Sequence, residues 1–196
     1  RHVSEDILTL SGLICAARLV GMIAAGGLLI VAPVCSTLVV TSRFTMGRDA
    51  DVHVMGDMER TDVLKGNPML LHSAWLILPA HMRSVYILFE QPQTSVAPHV
   101  PCIRAAFEMV GMSRVHTWMG AFGHPLPTPT FIWTTMPQHA AAVLHRGKPV
   151  MERVEGYHSV SANGRWWNGG PLLRNSEFFT RAFGDAIAEA FTRARA

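Results

Sequence analysis

The sequence predicts an α/β domain with a Rossmann-like, doubly wound and mostly parallel sheet, followed by a C-terminal hairpin and helix. Three observations lead to this prediction. Apolar runs of strand length alternate along the chain with segments of helical period. The first two runs, Leu28–Val34 and Ser84–Phe89, contain no charged residue, which is typical of strands covered on both faces. Hydrophobic residues make up 49% of the 196 residues, which is enough for a core and argues against disorder.

The first predicted helix runs from Asp6 to Ala25, where a glycine pair at 26–27 ends it. Arg18 is its only charge after Asp6, so we expect this helix to be buried on most faces. An alternative is a membrane span or anchor through residues 7–34. The uninterrupted apolar stretch from Leu19 to Val34 is shorter than the about 20 residues that a span needs, which favours the helix and strand.

The rest of the chain continues the alternation of helix and strand. Thr41–Lys65 is polar and without a clear period, which predicts a long loop over the sheet. A helix is predicted over Asn67–Met82, with Pro68 in its first turn and one side formed by Leu70, Leu71, Ala74, Trp75 and Leu78. The elements predicted after it are a strand over Ser84–Phe89, a helix over Val100–Met109, a strand over Val115–Met119, a rigid turn over Phe122–Pro129, a strand over Thr130–Thr134 and a helix over Pro137–Leu144. The chain then forms a predicted hairpin over Val154–Leu172 that turns at Asn163-Gly164, and a last helix over Glu177–Arg193 that is capped by Asn175-Ser176.

Charge and cysteine usage exclude several classes of protein. The net charge of +3 permits an anionic partner without requiring one. The odd cysteine count and the lack of a CxxC spacing argue against a disulfide framework and a structural zinc site, and favour a reducing, intracellular compartment. No HExxH occurs among the ten histidines, so we expect no metal.

Two residues that can carry chemistry follow the first two predicted strands. Ligands of open α/β sheets bind beyond the carboxyl ends of the strands, where Cys35 and Glu90 are expected. Cys35 is either a nucleophile whose thiolate is stabilised by turn amides or a small buried apolar residue. Glu90 is either an acid or base in a cleft or the partner of Arg43 or Arg114 in a structural ion pair.

Cys35 is also expected to be the thiol that alkylates fastest. The other two cysteines, Cys15 and Cys102, lie in or near predicted apolar helices, where burial disfavours the thiolate.

The motifs around these residues resemble those of the C5-cytosine methyltransferase family. A Pro-x-Cys motif ends at Cys35, a Glu-x-Pro motif begins at Glu90, and Phe122-Gly123-His124-Pro125 is similar to the Tyr-Gly-x-Pro turn of the family. A closer resemblance, from about Gly26 to Phe191, is to a group of uncharacterised protist and algal proteins. Its motifs correspond here to Cys35-Ser36, Gly47-Arg48, Gly56-Asp57, Glu90-Gln91-Pro92 and Thr117–Gly123.

The resemblance to the methyltransferases implies a reaction on a flipped cytosine. Cys35 would attack C6, Glu90 would hold and protonate the ring near N3, and S-adenosylmethionine would supply the methyl group for C5. The implied partner is a nucleic acid or a nucleotide-like ligand. The candidate substrate-binding residues around the pair are Ser36, Thr37, Arg43, Arg48, Gln91 and Arg114. The loop with Gly47-Arg48-Asp49 and Gly56-Asp57 either binds an anion, caps the cleft or is an ordinary solvated loop.

The chain departs from the methyltransferase pattern in several places. Val34 precedes the cysteine where the family commonly has proline, and Leu126, Thr128 and Thr130 stand in place of a Gln-x-Arg-x-Arg pattern. No Phe-x-Gly-x-Gly loop is present, so the S-adenosylmethionine motif is absent from this chain.

The sequence therefore predicts a degenerate or incomplete methyltransferase-like domain. It would span residues 1–196 as one α/β domain, or form the C-terminal part of a larger methyltransferase-like protein. The alternatives are a non-catalytic structural or interaction module and a membrane-anchored protein.

Overall fold

The computed structural model describes residues 6–39, 42–150, 158–160, 166–168 and 178–196, and it is of the predicted α/β class. The helices are α1 (Leu10–Met22), α2 (Arg43–Met46), α3 (Thr61–Met82), α4 (Pro101–Val110), α5 (Gln138–Ala141) and α6 (Arg181–Ala194). The strands are β1 (Leu28–Val31), β2 (Tyr86–Pro92), β3 (Ser113–Trp118), β4 (Pro129–Thr134), β5 (His158–Val160) and β6 (Trp166–Asn168). Short 3₁₀ turns cover Ala97–His99, Met119–Phe122 and Ala142–Leu144.

The main sheet has the strand order β1-β2-β4-β3. β1 and β2 pair in parallel, with Leu28 opposite Tyr86 and Val31 opposite Phe89, which confirms the prediction that these two runs are parallel neighbours. β4 runs antiparallel to both β2 and β3, so the sheet is mixed where a mostly parallel one was predicted. The physical reason is the short connection over residues 119–128, which reverses the chain without the crossover helix that a parallel return requires.

Apolar cores cover both faces of the sheet, as expected for a doubly wound arrangement. On one face, here the α3 face, Ile87 and Phe89 pack with side chains of α1, α3 and α4. On the opposite face, the α6 face, Leu88 and Ile132 pack with side chains of α6 and of the 3₁₀ turns Met119–Phe122 and Ala142–Leu144. The alternation of Ile87, Leu88 and Phe89 between the two cores fixes the direction in which every β2 side chain points.

The amino-terminal elements are more exposed than predicted. α1 begins at Leu10, where the Thr9 hydroxyl accepts the N–H of Gly12, and only Gly12 and Val20 of the helix are buried. The prediction of a helix buried on most faces is wrong because β1 is an edge strand, and α1 therefore lies at the margin of its layer. The prediction that β1 is covered on both faces fails for the same reason, since Ile30 is exposed.

The part of the chain that the structure describes was also searched for a membrane span. None of its helices combines the length and apolar character that a span requires.

α3 is longer than predicted and is oriented differently. It begins at Thr61 inside the predicted long loop, which also contains α2, so Pro68 lies within the helix rather than in its first turn. Pro68 and Pro79 are on the solvent side, where water can satisfy the carbonyls that lose a helical partner. Leu71 and Trp75, which were predicted on the buried side, are exposed.

The C-terminal hairpin pairs as predicted, and the last helix is shorter. β5 and β6 are antiparallel, with His158 opposite Asn168, and the predicted Asn163-Gly164 turn lies outside the described residues. α6 begins at Arg181 rather than Glu177, because the Thr180 hydroxyl caps it by accepting the N–H of Phe183. The predicted caps at 175–176 lie outside the described residues.

Candidate functional site

Three strands end at the same edge of the sheet. β1, β2 and β3 point in one direction, so their carboxyl ends are neighbours. The turn after β1 that contains Cys35, the end of β2 with Glu90, and the loop 119–128 after β3 all lie at this edge. This is the edge at which the sequence predicted a site.

Glu90 lies inside β2 rather than immediately after the strand, since β2 extends to Pro92. Its neighbours Phe89 and Gln91 point to the α3 face, so Glu90 points to the α6 face, opposite Ile132 of β4. Burial raises the pKa of its carboxyl group to about 7. Among the described residues, no hydrogen-bond donor or positive charge lowers this pKa again. At neutral pH this side chain is therefore present both as an acid and as a carboxylate.

One of the two predicted ion pairs is ruled out by the faces of the sheet. Arg114 is opposite Trp133 in the register and stacks over the ring of Phe131, with its guanidinium carbon 4.4 Å from the ring centre. These side chains belong to the α3 face, whereas Glu90 belongs to the other, so a pair with Arg114 is wrong. The backbone of Arg43 begins α2, and its side chain lies outside the described residues.

Two threonines extend the polar surface at this edge. Thr130 of β4 is opposite both Pro92 and Thr117, so Thr117 and Thr130 lie on the α6 face with Glu90. Thr130 is the diagonal neighbour of Glu90, a relation in which side chains about 7–8 Å apart are within reach of each other. The Thr117 hydroxyl is buried and has no hydrogen-bond partner among the described residues. Sequence reasoning did not select these threonines, because only the register shows that they share a face with Glu90.

His124, in the loop 119–128, is a further buried polar residue at this edge. The loop packs on the α6 face through Met119 and Phe122. The backbone N–H and the carbonyl oxygen of Leu126 both lie 3.0 Å from the His124 Nδ1. Nε2 is buried and has no partner in the described part of the chain.

The turn after β1 is held against the α3 face, which is opposite the face of Glu90. Gln91 donates from Nε2 to the Pro33 carbonyl over 2.7 Å and accepts the Ser95 hydroxyl over 2.8 Å. Leu38 then packs into the core of the α3 face. Cys35 is partly exposed, and its carbonyl accepts the N–H of Leu38. Cys35 and Glu90 therefore come to one edge of the sheet, but the turn that carries Cys35 is anchored on the face away from the Glu90 carboxyl group.

The candidate substrate-binding residues on this turn and on the Arg48 loop differ in their exposure. Ser36 is exposed, whereas Thr37 is buried. Arg48 is also buried, and its guanidinium donates to the Val54 carbonyl and to Asn67 Oδ1 of α3, each over 2.8 Å. Burial lowers the pKa of Arg48. The expectation of a solvated loop is wrong for this residue, because Arg48 holds its loop against α3.

The three thiols do not differ in exposure as the sequence suggested. Cys15 is exposed, while Cys35 and Cys102 are partly buried. Burial raises the pKa of the Cys102 thiol. The assumption that Cys15 is inert through burial is wrong, because α1 turns this side chain to solvent.

Other features of the described residues lie apart from this edge. A hollow of about 390 Å³ at the end of α6 is lined by Phe191, Thr192, Arg195 and Ala196. The Tyr86 hydroxyl donates to the Ala194 carbonyl there, which places the hollow at the amino end of β2, away from Glu90. No group of His, Cys, Asp and Glu side chains suited to a metal ion occurs in the described part of the chain.

Comparison with known proteins finds no matching family model, no matching curated protein and no matching solved structure.

Proposed function

We propose that this chain is a degenerate C5-cytosine methyltransferase-like domain that binds a cytosine nucleotide through Glu90. The observation that carries the proposal is the Glu90 carboxyl group, which has a pKa of about 7 and lies at the carboxyl edge of the parallel β1–β2 pair. Strongly shifted carboxyl groups that structural ion pairs do not account for are concentrated at functional sites.

The protonation state of Glu90 suits the edge of a cytosine ring. A neutral carboxyl group offers one O–H donor and one carbonyl acceptor. Cytosine presents the acceptor N3 beside the donor amino group at N4, so the two sets are complementary. Once Glu90 is ionised it has no donor for N3, and the complementarity is lost. The hydroxyl of Thr117, buried on the same face, supplies a further polar group for the ligand.

Methyl transfer by this chain alone is not part of the proposal. The sequence lacks the glycine-rich loop that would hold S-adenosylmethionine, and the turn of Cys35 is anchored on the α3 face through Gln91. The chain retains the glutamate that binds the base. Attack by Cys35 and methyl transfer from S-adenosylmethionine would both require a partner protein that completes the cofactor site.

Titration calorimetry with 2′-deoxycytidine monophosphate tests the proposal. We expect saturable binding at pH 6 that weakens at least about tenfold by pH 8, because Glu90 loses its proton over this interval. Glu90→Gln keeps one donor and one acceptor, so it should bind with a weaker dependence on pH, and Glu90→Ala should abolish binding. Glu108→Gln, at an exposed position of α4, is the matched control.

Two results would overturn the proposal. One is the absence of binding at pH 6 by a folded protein, and the other is binding that Glu90→Ala leaves unchanged. S-adenosylmethionine titrated into the isolated chain should give no heat, and binding in the micromolar range would contradict the claim that the cofactor site is incomplete.

A non-catalytic interaction module is the second candidate, and one observation favours it. Thr37, Arg48 and Gln91, which were candidates for ligand contacts, are all buried. Arg48 and Gln91 are engaged in internal hydrogen bonds. If no nucleotide binds, this reading replaces the first.

A further inference from the structure

The solvent side of α3 carries an apolar stripe along its whole length. The stripe consists of Leu64, Pro68, Leu71, Trp75, Leu78 and Met82, of which Leu78 is half-buried and also packs against the core of the α3 face. Their spacing of four, three, four, three and four residues is the heptad spacing of a coiled-coil seam. Within the described structure Trp75 is 64% exposed and Met82 is 85% exposed, and both lie on α3, which contains Pro68 and Pro79.

α1 widens this stripe into a face. It packs beside α3, where His72 Nδ1 lies 2.8 Å from the Ile7 carbonyl and Leu13 joins the core of the α3 face. On its outer side Leu10 is 74% exposed and Met22 is 79% exposed. We call the outer surfaces of α1 and α3 the α1/α3 face.

The size of the α1/α3 face fits an interface between two protein chains. A helix of 22 residues is about 33 Å long, and two packed helices lie about 10 Å apart, so the face covers roughly 500 Å² in projection. This is of the order of the about 800 Å² of accessible surface that each partner buries in a standard interface. Scattered exposed apolar residues need no partner, but a continuous face of this size marks an interaction site.

The composition of the face favours a second copy of this chain over a membrane surface. Helices that lie in a membrane interface carry Lys and Arg along the polar side. Here α1 contains one basic residue, Arg18, and α3 contains one lysine, Lys65, while Arg60 and Arg83 flank the two ends of α3 rather than lying along its side. Interfaces between identical chains are more apolar than other interfaces, and two-fold symmetry brings one apolar face against itself.

The charges at the ends of α3 indicate the direction of pairing. Asp62 lies in the first turn, and Arg83 follows the last turn. In an antiparallel arrangement Asp62 of one copy approaches Arg83 of the second copy, and the helix dipoles oppose each other favourably. We propose that the α1/α3 face is the interface of a homodimer in which two α3 helices pack antiparallel along the apolar stripe.

Sedimentation equilibrium tests the dimer. We expect the mass of the chain to be about twice the monomer value of 21.5 kDa at micromolar concentration. The double variant Leu71→Glu/Trp75→Glu should sediment as a monomer with an unchanged circular dichroism spectrum. Val150→Glu, at a fully exposed apolar position away from the helices, should remain a dimer.

Cross-linking tests the antiparallel direction without depending on the glutamate variants. In a Cys15→Ser/Cys35→Ser/Cys102→Ser background, Leu71→Cys lies near the centre of the stripe and should cross-link to itself with a short bismaleimide, since the two positions are offset by about 6 Å along the axis. Leu64→Cys should not, because the offset is about 27 Å, but it should cross-link to Met82→Cys when the two variants are mixed.

Three results would overturn this proposal. One is a wild-type monomer at every concentration. The second is a dimer that the double variant leaves intact. The third is a monomer that floats with phosphatidylcholine–phosphatidylserine vesicles and is released by the double variant, since that would assign the face to a membrane surface. None of these outcomes bears on nucleotide binding by Glu90.

Discussion

Glu90 couples the folding of this domain to pH in a direction unusual for a carboxyl group. Its pKa rises from an ordinary value of 4.5 to about 7 in the folded chain, because the ionised form loses hydration. The folded state therefore binds more protons than the unfolded state between these two values. The contribution of Glu90 to stability is fully present below about pH 4.5 and is lost as pH rises through 7.

The effect can be measured with Glu90→Gln. The wild-type free energy of unfolding should fall relative to that of the variant by about 2–3 kcal/mol between pH 5 and pH 8. Urea denaturation at half-unit pH steps gives the difference. Glu108→Gln should track the wild type throughout. A wild-type curve parallel to that of Glu90→Gln would mean that the carboxyl group is hydrated in the folded state.

The sequence could identify Glu90 but not its surroundings. A glutamate at the end of an uncharged strand is visible in the residues themselves. The face to which it points depends on the exact extent of β2, and the strand continues through Gln91 to Pro92. Thr117 joins Glu90 only through the register of two later strands, which no local pattern specifies.

At the scale of elements, the packing of the Cys35 turn on α3 depends on one glycine. A β-carbon at Gly66 would lie 2.9 Å from the Thr37 hydroxyl and 3.3 Å from Arg48 Nη2. The helix therefore needs a residue without a side chain at this contact, although glycine costs about 1 kcal/mol relative to alanine within a helix.

Two glycine variants separate the packing effect from helix propensity. Overpacking in Gly66→Ala costs about 1–3 kcal/mol. The gain in helix propensity offsets about 1 kcal/mol of this, so the free energy of unfolding should fall by up to about 2 kcal/mol. Gly184→Ala in α6, where nothing lies within 4 Å of the added carbon, should raise it by about 0.5–1 kcal/mol. Both are measured by chemical denaturation. Stabilisation by Gly66→Ala as well would show that the turn does not pack on α3.

Element predictions succeeded where a run was apolar and failed where exposure depended on position in the fold. The periodicity of α4 predicts its bounds to within one residue. The apolar character of α1 indicates burial, yet the helix is exposed because its neighbours lie on one side only. On α3 the stripe of Leu71 and Trp75 has the same period as the buried side, so the sequence cannot distinguish the inner side from the outer one.

For the whole molecule, the sequence predicted an α/β sheet with helices on both faces, and this is confirmed. It did not predict the reversed direction of β4. Alternating helices and strands favour parallel pairing, but the segment Phe122–Pro129, with three prolines and one glycine, makes a reversal and not a crossover. Among the described residues, no helix has both the length and the apolar character needed to cross a membrane.

The edge position of β1 has a consequence for the order in which the domain assembles. β3 and β4 are joined by a short loop, whereas residues 32–85 separate β1 from β2, the one strand that pairs with it among the described residues. Closing the longer loop costs more chain entropy, and the pairing of β1 with one strand is all that offsets this cost in the described sheet. We therefore expect α1 and β1 to dock last during folding and to detach first, as one unit of low local stability. Native-state hydrogen exchange should show that the β1 amides exchange through a partial opening. The amides of β4, which is paired on both sides, should exchange only on global unfolding. Equal protection of the two strands would mean that the sheet opens as a whole.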